Sequence, residues 1–312
     1  MARLEEACDV ERFEGEGAIT HDELMKRVAG TQALISMVTD TVDRAVIDAG
    51  DALRVIANVA VGYNNIDVAA ARARGIVVTN TPDVLTGATA DFTWALILAI
   101  TRRLGEGERL LRRGEWKGWA LDFLPGTELR GKQLGIVGFG RIGQAVAARA
   151  EAFGMRVAYV ARSSDTSRGG PSGPPERAGP PEREPLPLDR LLSTSDVVSL
   201  HVPLTPETRH LIDQPALARM KRTAYLINTA RGPVVDEAAL AWALKNRLIA
   251  GAALDVYERE PIVHPDLLPL ENVLLSPHLG SGTSETRMAM ADLAARNVLA
   301  VLADQPPLTP VQ

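Results

Sequence analysis

The sequence has a single cysteine, Cys8, and few aromatic residues, which make up 4% of its 312 residues. One cysteine excludes an internal disulfide framework, which needs at least two cysteines, and a zinc knuckle, which needs clustered ligands. Basic residues are in the minority, with 34 Lys and Arg against 39 Asp and Glu. Nucleic acids and anionic membranes select positively charged surfaces, so neither is an expected partner.

Long apolar runs are also missing. The most apolar stretch, residues 92–100, is far shorter than the roughly 20 residues that cross a bilayer. The chain opens without the basic, apolar and small-residue pattern of a signal peptide, which favours the cytoplasm. With 46% apolar and 23% charged residues and a formal net charge of −5, the composition is typical of a globular protein of about two domains.

Short apolar runs alternate with helical patterns along the chain. This alternation predicts an α/β fold of parallel strands connected by crossover helices. The predicted strands are residues 33–38, 53–59, 75–79, 134–137, 156–160, 197–201, 224–228, 250–254 and 273–275. The predicted helices include residues 43–49, 67–74, 144–153 and 284–303 and one long helix over 88–113.

Prolines cluster in one segment, with seven of the 20 lying in residues 163–187. Besides proline, this segment has only Ala178 and Leu186 as apolar residues, too few to offset the entropy lost on ordering it. We predict a disordered loop over 163–187. Because the strand and helix alternation resumes after it, the loop is expected inside a domain.

A glycine-rich turn follows the predicted strand 134–137. Gly138, Gly140 and Gly143 form the pattern G-x-G-x-x-G directly before a helical run. Between a strand and a helix, this pattern predicts a dinucleotide site, because the glycines permit a tight turn, close approach to a pyrophosphate and close helix packing. The N-terminus of the helix then binds the anion.

The next predicted strand ends without the acidic residue that accepts the adenosine ribose hydroxyls in NAD sites. It ends in Ala161, Arg162 and Ser163. A guanidinium and a hydroxyl suit a 2′-phosphate, so we predict that NADP(H) is preferred over NAD(H). The alternative is that Arg162 only ends the strand in solvent, which would leave NAD(H) as the cofactor.

Three later segments place reactive side chains after strands, where open α/β sheets build their sites. They are N-T-A-R-G-P (228–233), D-V-Y-E-R-E-P (255–261) and S-P-H-L-G-S (276–281), and they carry Arg231, Glu260 and His278. With the glycine loop, these motifs resemble the D-isomer-specific 2-hydroxyacid dehydrogenases. The segments 59–63, 80–86 and 114–117 bring the chain closest to the glyoxylate/hydroxypyruvate reductases of that family.

The resemblance implies a catalytic set of three residues. Arg231 is expected to bind the substrate carboxylate and to polarise the carbonyl. His278 is expected to donate the proton as a hydride arrives from the nicotinamide, and Glu260 to orient the imidazole and favour its protonated form. The implied reaction is reduction of glyoxylate or hydroxypyruvate.

Further site residues are implied by the same resemblance, and no metal ligands are among them. The expected substrate contacts are Val38, Val61 and Gly62, with the small Val38 side chain suited to a small keto acid. From the glycine loop and the resemblance together, the expected cofactor residues are Thr86, Gly138, Phe139, Gly140, Arg141, Ile142, Gly143, Ala161, Arg162, Ser163, Val202, Pro203, Thr208, Thr229, Ala230, Asp255 and Gly280.

The expected architecture is two Rossmann-like or flavodoxin-like parallel-sheet domains with a cleft between them. We predict a discontinuous substrate domain, residues 1–85 plus 284–312, and an NADP-binding Rossmann domain, residues 86–283. The resemblance also implies a homodimer, with residues 116–123 reaching toward the partner subunit. Residues 1–7 read as a helix where the family has a first strand, so we expect either an upstream start or an uncovered sheet edge.

Three alternatives remain open from the sequence. A 3-phosphoglycerate dehydrogenase shares the catalytic residues but would prefer NAD. A formate dehydrogenase would lack Glu260 in the matching place. A dinucleotide-sensing corepressor has a similar fold and no turnover. Among the other histidines, we expect His201 to be structural, and the sequence names no partner acid for His21, His210 or His264.

Overall fold

The computed structural model describes residues 2–161 and 183–311, which divide into two compact units. Unit 1 is Met1–Thr86 with Gly282–Gln312, and unit 2 is Gly87–Ser281. Each unit is built on one parallel sheet flanked by helices, so the predicted α/β class is confirmed.

Unit 1 has a three-stranded parallel sheet flanked by helices. The elements are α1 (Ala2–Glu5), α2 (His21–Val28), β1 (Ala33–Ser36), α3 (Arg44–Ala49), β2 (Val55–Asn58), α4 (Val68–Ala73), β3 (Val77–Thr79) and α11 (Ser284–Leu302). The strand order is β1-β2-β3. Alternate side chains of the central strand face opposite cores, with Ile56 packing among helices α2 to α4 and Val55 and Ala57 packing against α11.

The two edges of this sheet differ. At the β3 edge, Thr79 forms an antiparallel bridge with Pro310, and Val311 N–H donates to Val78 O at 2.8 Å. Within the described ranges, no strand pairs with the outer edge of β1. The helix expected over residues 1–7 is present as α1, and its Leu4 packs in the α11 core.

Unit 2 has a seven-stranded parallel sheet with helices on both faces. The strands are β4 (Gln133–Val137), β5 (Arg156–Val160), β6 (Arg183–Pro185), β7 (Val197–Leu200), β8 (Tyr225–Asn228), β9 (Gly251–Leu254) and β10 (Val273–Leu275). The helices are α5 (Thr86–Thr101), α6 (Leu104–Arg112), α7 (Arg141–Ala150), α8 (Leu188–Thr194), α9 (Gln214–Arg219) and α10 (Glu237–Lys245). The strand order is β10-β9-β8-β7-β4-β5-β6. Helices α5 and α7 pack on one face of the sheet, and α8, α9 and α10 on the other.

The disordered loop predicted over 163–187 is wrong at its C-terminal end, while residues 163–182 lie outside the described residues. Residues Arg183–Pro185 form the edge strand β6, which pairs in parallel with β5. An edge strand gains its stability from backbone hydrogen bonds to its neighbour and needs no apolar pattern. Leu186 then packs against the buried cluster that includes Leu191 and Leu192 of α8.

The single long helix predicted over 88–113 is also wrong, because the chain forms two helices, α5 and α6. Arg103 takes a left-handed conformation, with φ of 54°, and its guanidinium makes two hydrogen bonds to Glu106. A Cβ at Gly105 would lie 2.9 Å from Leu274 Cδ1. Glycine has a low helix propensity, which disfavours a continuous helix through this point. The left-handed backbone at Arg103 separates α5 from α6.

No described helix combines the length and the hydropathy needed to cross a membrane.

Candidate active site

The glycine loop of unit 2 connects β4 to α7, and its glycines are required by close backbone contacts. Gly138 has φ of 96°, and a Cβ there would lie 2.6 Å from the carbonyl carbon of His201. A Cβ at Gly143 would lie 2.2 Å from Gly138 O. A Cβ at Gly140, by contrast, would meet no atom within 4 Å. Gly140 therefore leaves open space at the start of α7.

The N-terminus of α7 has no capping side chain, a feature that it shares with α6 and α8. Gly140 is its N-cap residue and provides no side-chain acceptor. Helices α2, α3, α4, α9, α10 and α11 each have a Thr or Asp side chain that accepts a first-turn N–H. Free N–H groups at the positive end of a helix dipole bind anions. The loop thus fits a dinucleotide pyrophosphate.

The adenosine end of the predicted cofactor site is described only in part. Arg162 and Ser163 lie outside the described residues, and Ala161 is the last described residue after β5. The Phe139 ring stacks on Tyr159 with 3.9 Å between ring centroids, and the Arg183 guanidinium lies 6.0 Å from the Phe139 centroid. The Phe139 ring is thus partly buried and packs against the core of unit 2.

Arg231 follows β8 in a turn that Asn228 holds. The Asn228 side chain accepts a hydrogen bond from Ala230 N–H at 3.0 Å and donates to Arg231 O at 3.0 Å. The Arg231 guanidinium donates to Ala230 O at 2.7 Å. Burial lowers the pKa of Arg231 from its ordinary value, and the charge of Glu260 opposes that shift. A desolvated guanidinium is suited to binding a small carboxylate.

Glu260 and His278 form a hydrogen-bonded pair. His278 Nδ1 lies 2.8 Å from Glu260 Oε2, and the two side chains are 33% and 26% exposed. Glu260 Oε1 accepts a hydrogen bond from Tyr257 N–H at 3.1 Å. Burial opposes ionisation of Glu260, but the hydrogen bond and charge of His278, with Tyr257 N–H and the charge of Arg231, lower its pKa overall.

The segment that carries His278 is held by Asp255. Asp255 Oδ1 accepts from Ser276 Oγ at 2.6 Å and from Leu279 N–H at 2.7 Å, and Oδ2 accepts from Gly280 N–H at 2.8 Å. His278 has φ of 53°, in the left-handed region. Burial raises the pKa of Asp255 despite these donors. The carboxylate therefore fixes a strained turn, and its predicted contact with the nicotinamide end of a cofactor stays a prediction.

Tyr257 is a site residue that the sequence did not single out. Its hydroxyl donates to Ser276 O at 2.9 Å and accepts from Ser276 N–H at 3.0 Å. Burial raises its pKa to about 12, so it stays a neutral donor. No sequence pattern marks this contact, because it depends on two strands that are paired only in the fold. Asn228 was also missed, although Asn at a strand end is a known turn former.

The remaining predicted cofactor residues have packing roles as well. Thr229 Oγ1 lies 3.0 Å from Thr93 Oγ1, and Thr208 Oγ1 donates to Pro203 O at 2.7 Å. Val202 packs against the α8 to α10 core, whereas Pro203 is exposed. Thr86, at the start of α5, donates its N–H to Asp83 O at 3.0 Å.

The predicted substrate contacts Val38, Val61 and Gly62 belong to unit 1. The carbonyls of Val61 and Gly62 accept hydrogen bonds from Asn80 and Asn58, each at 2.8 Å. In the part of the chain that the structure describes, the N–H groups of Val61 and Gly62 have no backbone or side-chain acceptor. These two donors remain available to a carboxylate.

Two of the other histidines lie close to acids that the sequence did not name. His21 Nε2 lies 3.0 Å from Asp43 Oδ2, and His210 Nε2 lies 3.3 Å from Glu258 Oε2. Both acids are distant in sequence, so no local motif indicates them. His201 Nε2 contacts Ser199 Oγ at 2.8 Å, and burial lowers the pKa of His201 to about 3, as suits a neutral structural residue. Among the described residues, no cluster of acids, histidines and cysteine forms a metal site.

Comparison with known proteins decides between the family and an unrelated dinucleotide-binding protein. Residues 94–280 match the family model of the D-isomer specific 2-hydroxyacid dehydrogenase NAD binding domain. The glyoxylate reductase of Thermococcus kodakarensis is 50% identical over 301 residues, which span 95% of this chain and 88% of that protein. The chain belongs to the D-isomer specific 2-hydroxyacid dehydrogenase family. As a member it is an NAD(P)-dependent oxidoreductase, and the predicted family is confirmed.

Solved structures of the D-2-hydroxyacid dehydrogenase fold match over the whole chain. A protein from Thermus thermophilus is 47% identical with a TM-score of 0.89, covering 100% of this chain and 96% of that one. An NADPH-dependent glyoxylate/hydroxypyruvate reductase from Sinorhizobium meliloti, solved with NADP and malonate, is 38% identical with a TM-score of 0.83. That match covers 99% of this chain and 92% of the Sinorhizobium chain.

Proposed function

We propose that this dehydrogenase is an NADPH-preferring reductase of small 2-keto acids, converting glyoxylate to glycolate and hydroxypyruvate to D-glycerate. The observation that carries the proposal is the Glu260–His278 pair at 2.8 Å in the same unit as Arg231 and the glycine loop. The name of the Thermococcus relative gives glyoxylate as a substrate class for that protein. The Sinorhizobium protein is named for NADPH, glyoxylate and hydroxypyruvate.

The chain's own residues perform the acid half of the reduction. When bound, the nicotinamide supplies a hydride to the carbonyl carbon. Because Glu260 binds His278 Nδ1, Nε2 is the nitrogen that gives its proton to the carbonyl oxygen. The negative Glu260 favours the doubly protonated ring that this step requires. Arg231 binds the adjacent carboxylate and draws electron density from the carbonyl.

Substrate size follows from the residues proposed to surround it. The free N–H groups of Val61 and Gly62 suit the substrate carboxylate, and Val38 leaves room for a short side chain. In this proposal unit 1 is the substrate domain and unit 2 the cofactor domain. The assignment of substrate and cofactor domains to residues 1–85 plus 284–312 and 86–283 stays a prediction.

The preference for NADP(H) rests on Arg162 and Ser163 and on the lack of an acidic residue at the tip of β5. A guanidinium and a hydroxyl bind a 2′-phosphate through charge-assisted hydrogen bonds. An acidic residue there would repel the same phosphate, which is how NAD sites exclude NADP. Arg162→Ala is therefore expected to raise the KM for NADPH and to leave the KM for NADH unchanged.

The predicted homodimer also remains part of the proposal. Several large apolar side chains of unit 2 are exposed in one stretch of the chain, with Trp119 82% and Leu121 88% exposed. Exposed apolar patches of this kind mark protein interfaces. Analytical ultracentrifugation of the wild type and of a Trp119→Glu, Leu121→Glu double variant tests the dimer, which the double variant should weaken. The cytoplasmic location stays a prediction, to be checked by cell fractionation.

The test of function is the oxidation of NADPH and NADH, followed by the loss of reduced-nicotinamide absorbance. The substrates are glyoxylate, hydroxypyruvate, pyruvate and phosphohydroxypyruvate at matched concentrations. The proposal expects the highest kcat/KM with NADPH and glyoxylate or hydroxypyruvate. Preference for phosphohydroxypyruvate with NADH would favour a 3-phosphoglycerate dehydrogenase. Cofactor binding without turnover of any 2-keto acid would favour the dinucleotide sensor.

A further inference from the structure

Two glutamates, Glu237 and Glu258, lie close in sequence to the proposed catalytic residues. They have no part in the reduction described above. Glu258 N–H donates to Glu237 Oε1 at 2.7 Å, and Glu237 N–H donates to Glu258 Oε1 at 3.0 Å. Each glutamate thus binds the backbone of the other. Such reciprocal side-chain-to-backbone bonds tie two chain segments together at two points.

The pair is held in a costly arrangement. Glu237 is only 5% exposed. Burial raises its pKa, and the negative charge of Glu258 adds to that shift, while Glu258 N–H and the charge and N–H of His264 oppose it. His210 Nε2 lies 3.3 Å from Glu258 Oε2 on the opposite side. A buried carboxylate close to a second carboxylate is unfavourable for the stability of the fold. The close contacts between the two glutamates therefore indicate a specific role.

The two segments that the pair connects carry the catalytic residues. Glu237 opens α10, six residues after Arg231, and Glu258 lies two residues before Glu260. Between them, Gly232 lies against the backbone of Tyr257, so that a Cβ at Gly232 would be 1.9 Å from the Tyr257 carbonyl carbon. The segments therefore touch backbone to backbone at Gly232 and Tyr257, and the two carboxylates link them a second time.

We propose that Glu237 and Glu258 are positioning residues that hold Arg231 in register with the Glu260–His278 pair. The carboxylate that binds Arg231 and the oxygen that takes the proton belong to one small molecule. The guanidinium and the imidazole must therefore keep a fixed separation. A small displacement of either group is expected to lower the reaction rate strongly. This inference rests on the proposed reductase function.

The test uses Glu237→Ala, Glu258→Ala and the conservative Glu237→Gln, with Asp236→Ala as a matched control. Asp236 caps the same helix by accepting Ala239 N–H at 2.9 Å, so its loss weakens α10 without removing a Glu237–Glu258 bond. With NADPH and glyoxylate, we expect kcat of both glutamate-to-alanine variants to fall by about 10- to 100-fold. The KM for NADPH should stay unchanged, since the glycine loop is not involved.

Glu237→Gln keeps an oxygen that accepts Glu258 N–H, so its kcat should stay within about threefold of wild type. A readout that needs no turnover is the ¹⁵N and ¹H signal of the His278 ring, assigned with a His278→Gln variant. In Glu237→Ala the Nδ1 proton signal should shift or broaden as the Glu260 contact loosens. Asp236→Ala should lower the Tm and leave both kcat and the ring signal near wild type.

The proposal is overturned if Glu237→Ala, folded at the assay temperature, keeps wild-type kcat and ring signals. It is also overturned if Asp236→Ala lowers kcat as much, because helix stability alone would then explain the loss. Failure of the wild type to reduce any 2-keto acid would instead refute the proposed function. The ring signals would still report whether the carboxylate pair positions His278.

Discussion

Replacing Glu260 by Gln removes the negative charge beside the proposed proton donor, His278, and keeps one of the two hydrogen bonds that Glu260 makes. The Gln side chain has nearly the same size, and its carbonyl oxygen is able to accept either Tyr257 N–H or His278 Nδ1–H. In the wild type both contacts exist at once, at 3.1 and 2.8 Å. The variant therefore isolates the charge of Glu260 from its volume.

The size of the effect follows from the exposure of the pair. A hydrogen bond to a charged group stabilises a protein by about 1.5–3 kcal/mol, and exposure of the two groups to solvent reduces that value. With His278 and Glu260 33% and 26% exposed, we take the lower end, about 1.5 kcal/mol, which corresponds to about a tenfold fall in kcat/KM when the contact is lost. Although burial opposes it, the pKa of Glu260 is lowered overall, chiefly by His278, so the carboxylate is charged, and the loss should be seen, at every pH above the ordinary carboxyl pKa.

The assay is kcat/KM for glyoxylate with NADPH over a range of pH, for the wild type and Glu260→Gln. We expect kcat/KM of Glu260→Gln to fall by about tenfold at neutral pH and the KM for NADPH to stay constant. Arg109→Gln is a control, because Arg109 pairs with Glu271 on the surface, with a 2.7 Å contact. A wild-type kcat/KM in Glu260→Gln would refute the assignment of Glu260 as the group that holds His278 for proton donation.

Two further predictions concern cofactor binding and stability. Gly140→Ala should raise the Kd for NADPH by about tenfold or more, because a methyl group occupies the space left for the pyrophosphate. Its Tm should be unchanged, since a Cβ at Gly140 meets no protein atom within 4 Å; a lower Tm with unchanged Kd would contradict this. Burial raises the pKa of Asp196, but Gln133 N–H and Lys221 lower it overall. The charged Asp196 therefore stabilises the fold at pH values above the ordinary carboxyl pKa. This stabilisation is lost as the pH falls through the lowered pKa of Asp196. Asp196→Asn should cost about 1–2 kcal/mol at neutral pH in urea unfolding and progressively less below about pH 4, whereas a cost independent of pH would contradict the charge-based reasoning.

The sheet framework could be predicted from the sequence because its strands are buried apolar runs. All nine predicted strands occur, with ends displaced by up to two residues, as β1 to β5 and β7 to β10. The missed strand, β6, is Arg-Glu-Pro and has no aliphatic or aromatic residue. Its pairing with β5 is a tertiary event, so no periodicity along the chain indicates it.

The proposed catalytic set was predicted on a different basis. Arg231, Glu260 and His278 each follow a strand of one parallel sheet, and the carboxyl ends of such strands meet at one edge. The structure brings Glu260 and His278 into contact and places Arg231 where its charge acts on Glu260. The reciprocal Glu237 and Glu258 bonds were not predictable, because glutamates at these positions are common on solvated surfaces.

The most direct test of the account is proton donation by His278. Wild type and His278→Ala are compared in NADPH oxidation with glyoxylate, and NADPH binding is measured for both by quenching of protein fluorescence. We predict that kcat falls by at least about 100-fold while the Kd for NADPH is unchanged. A His278→Ala protein that binds NADPH and reduces glyoxylate at near the wild-type kcat would contradict the central claim.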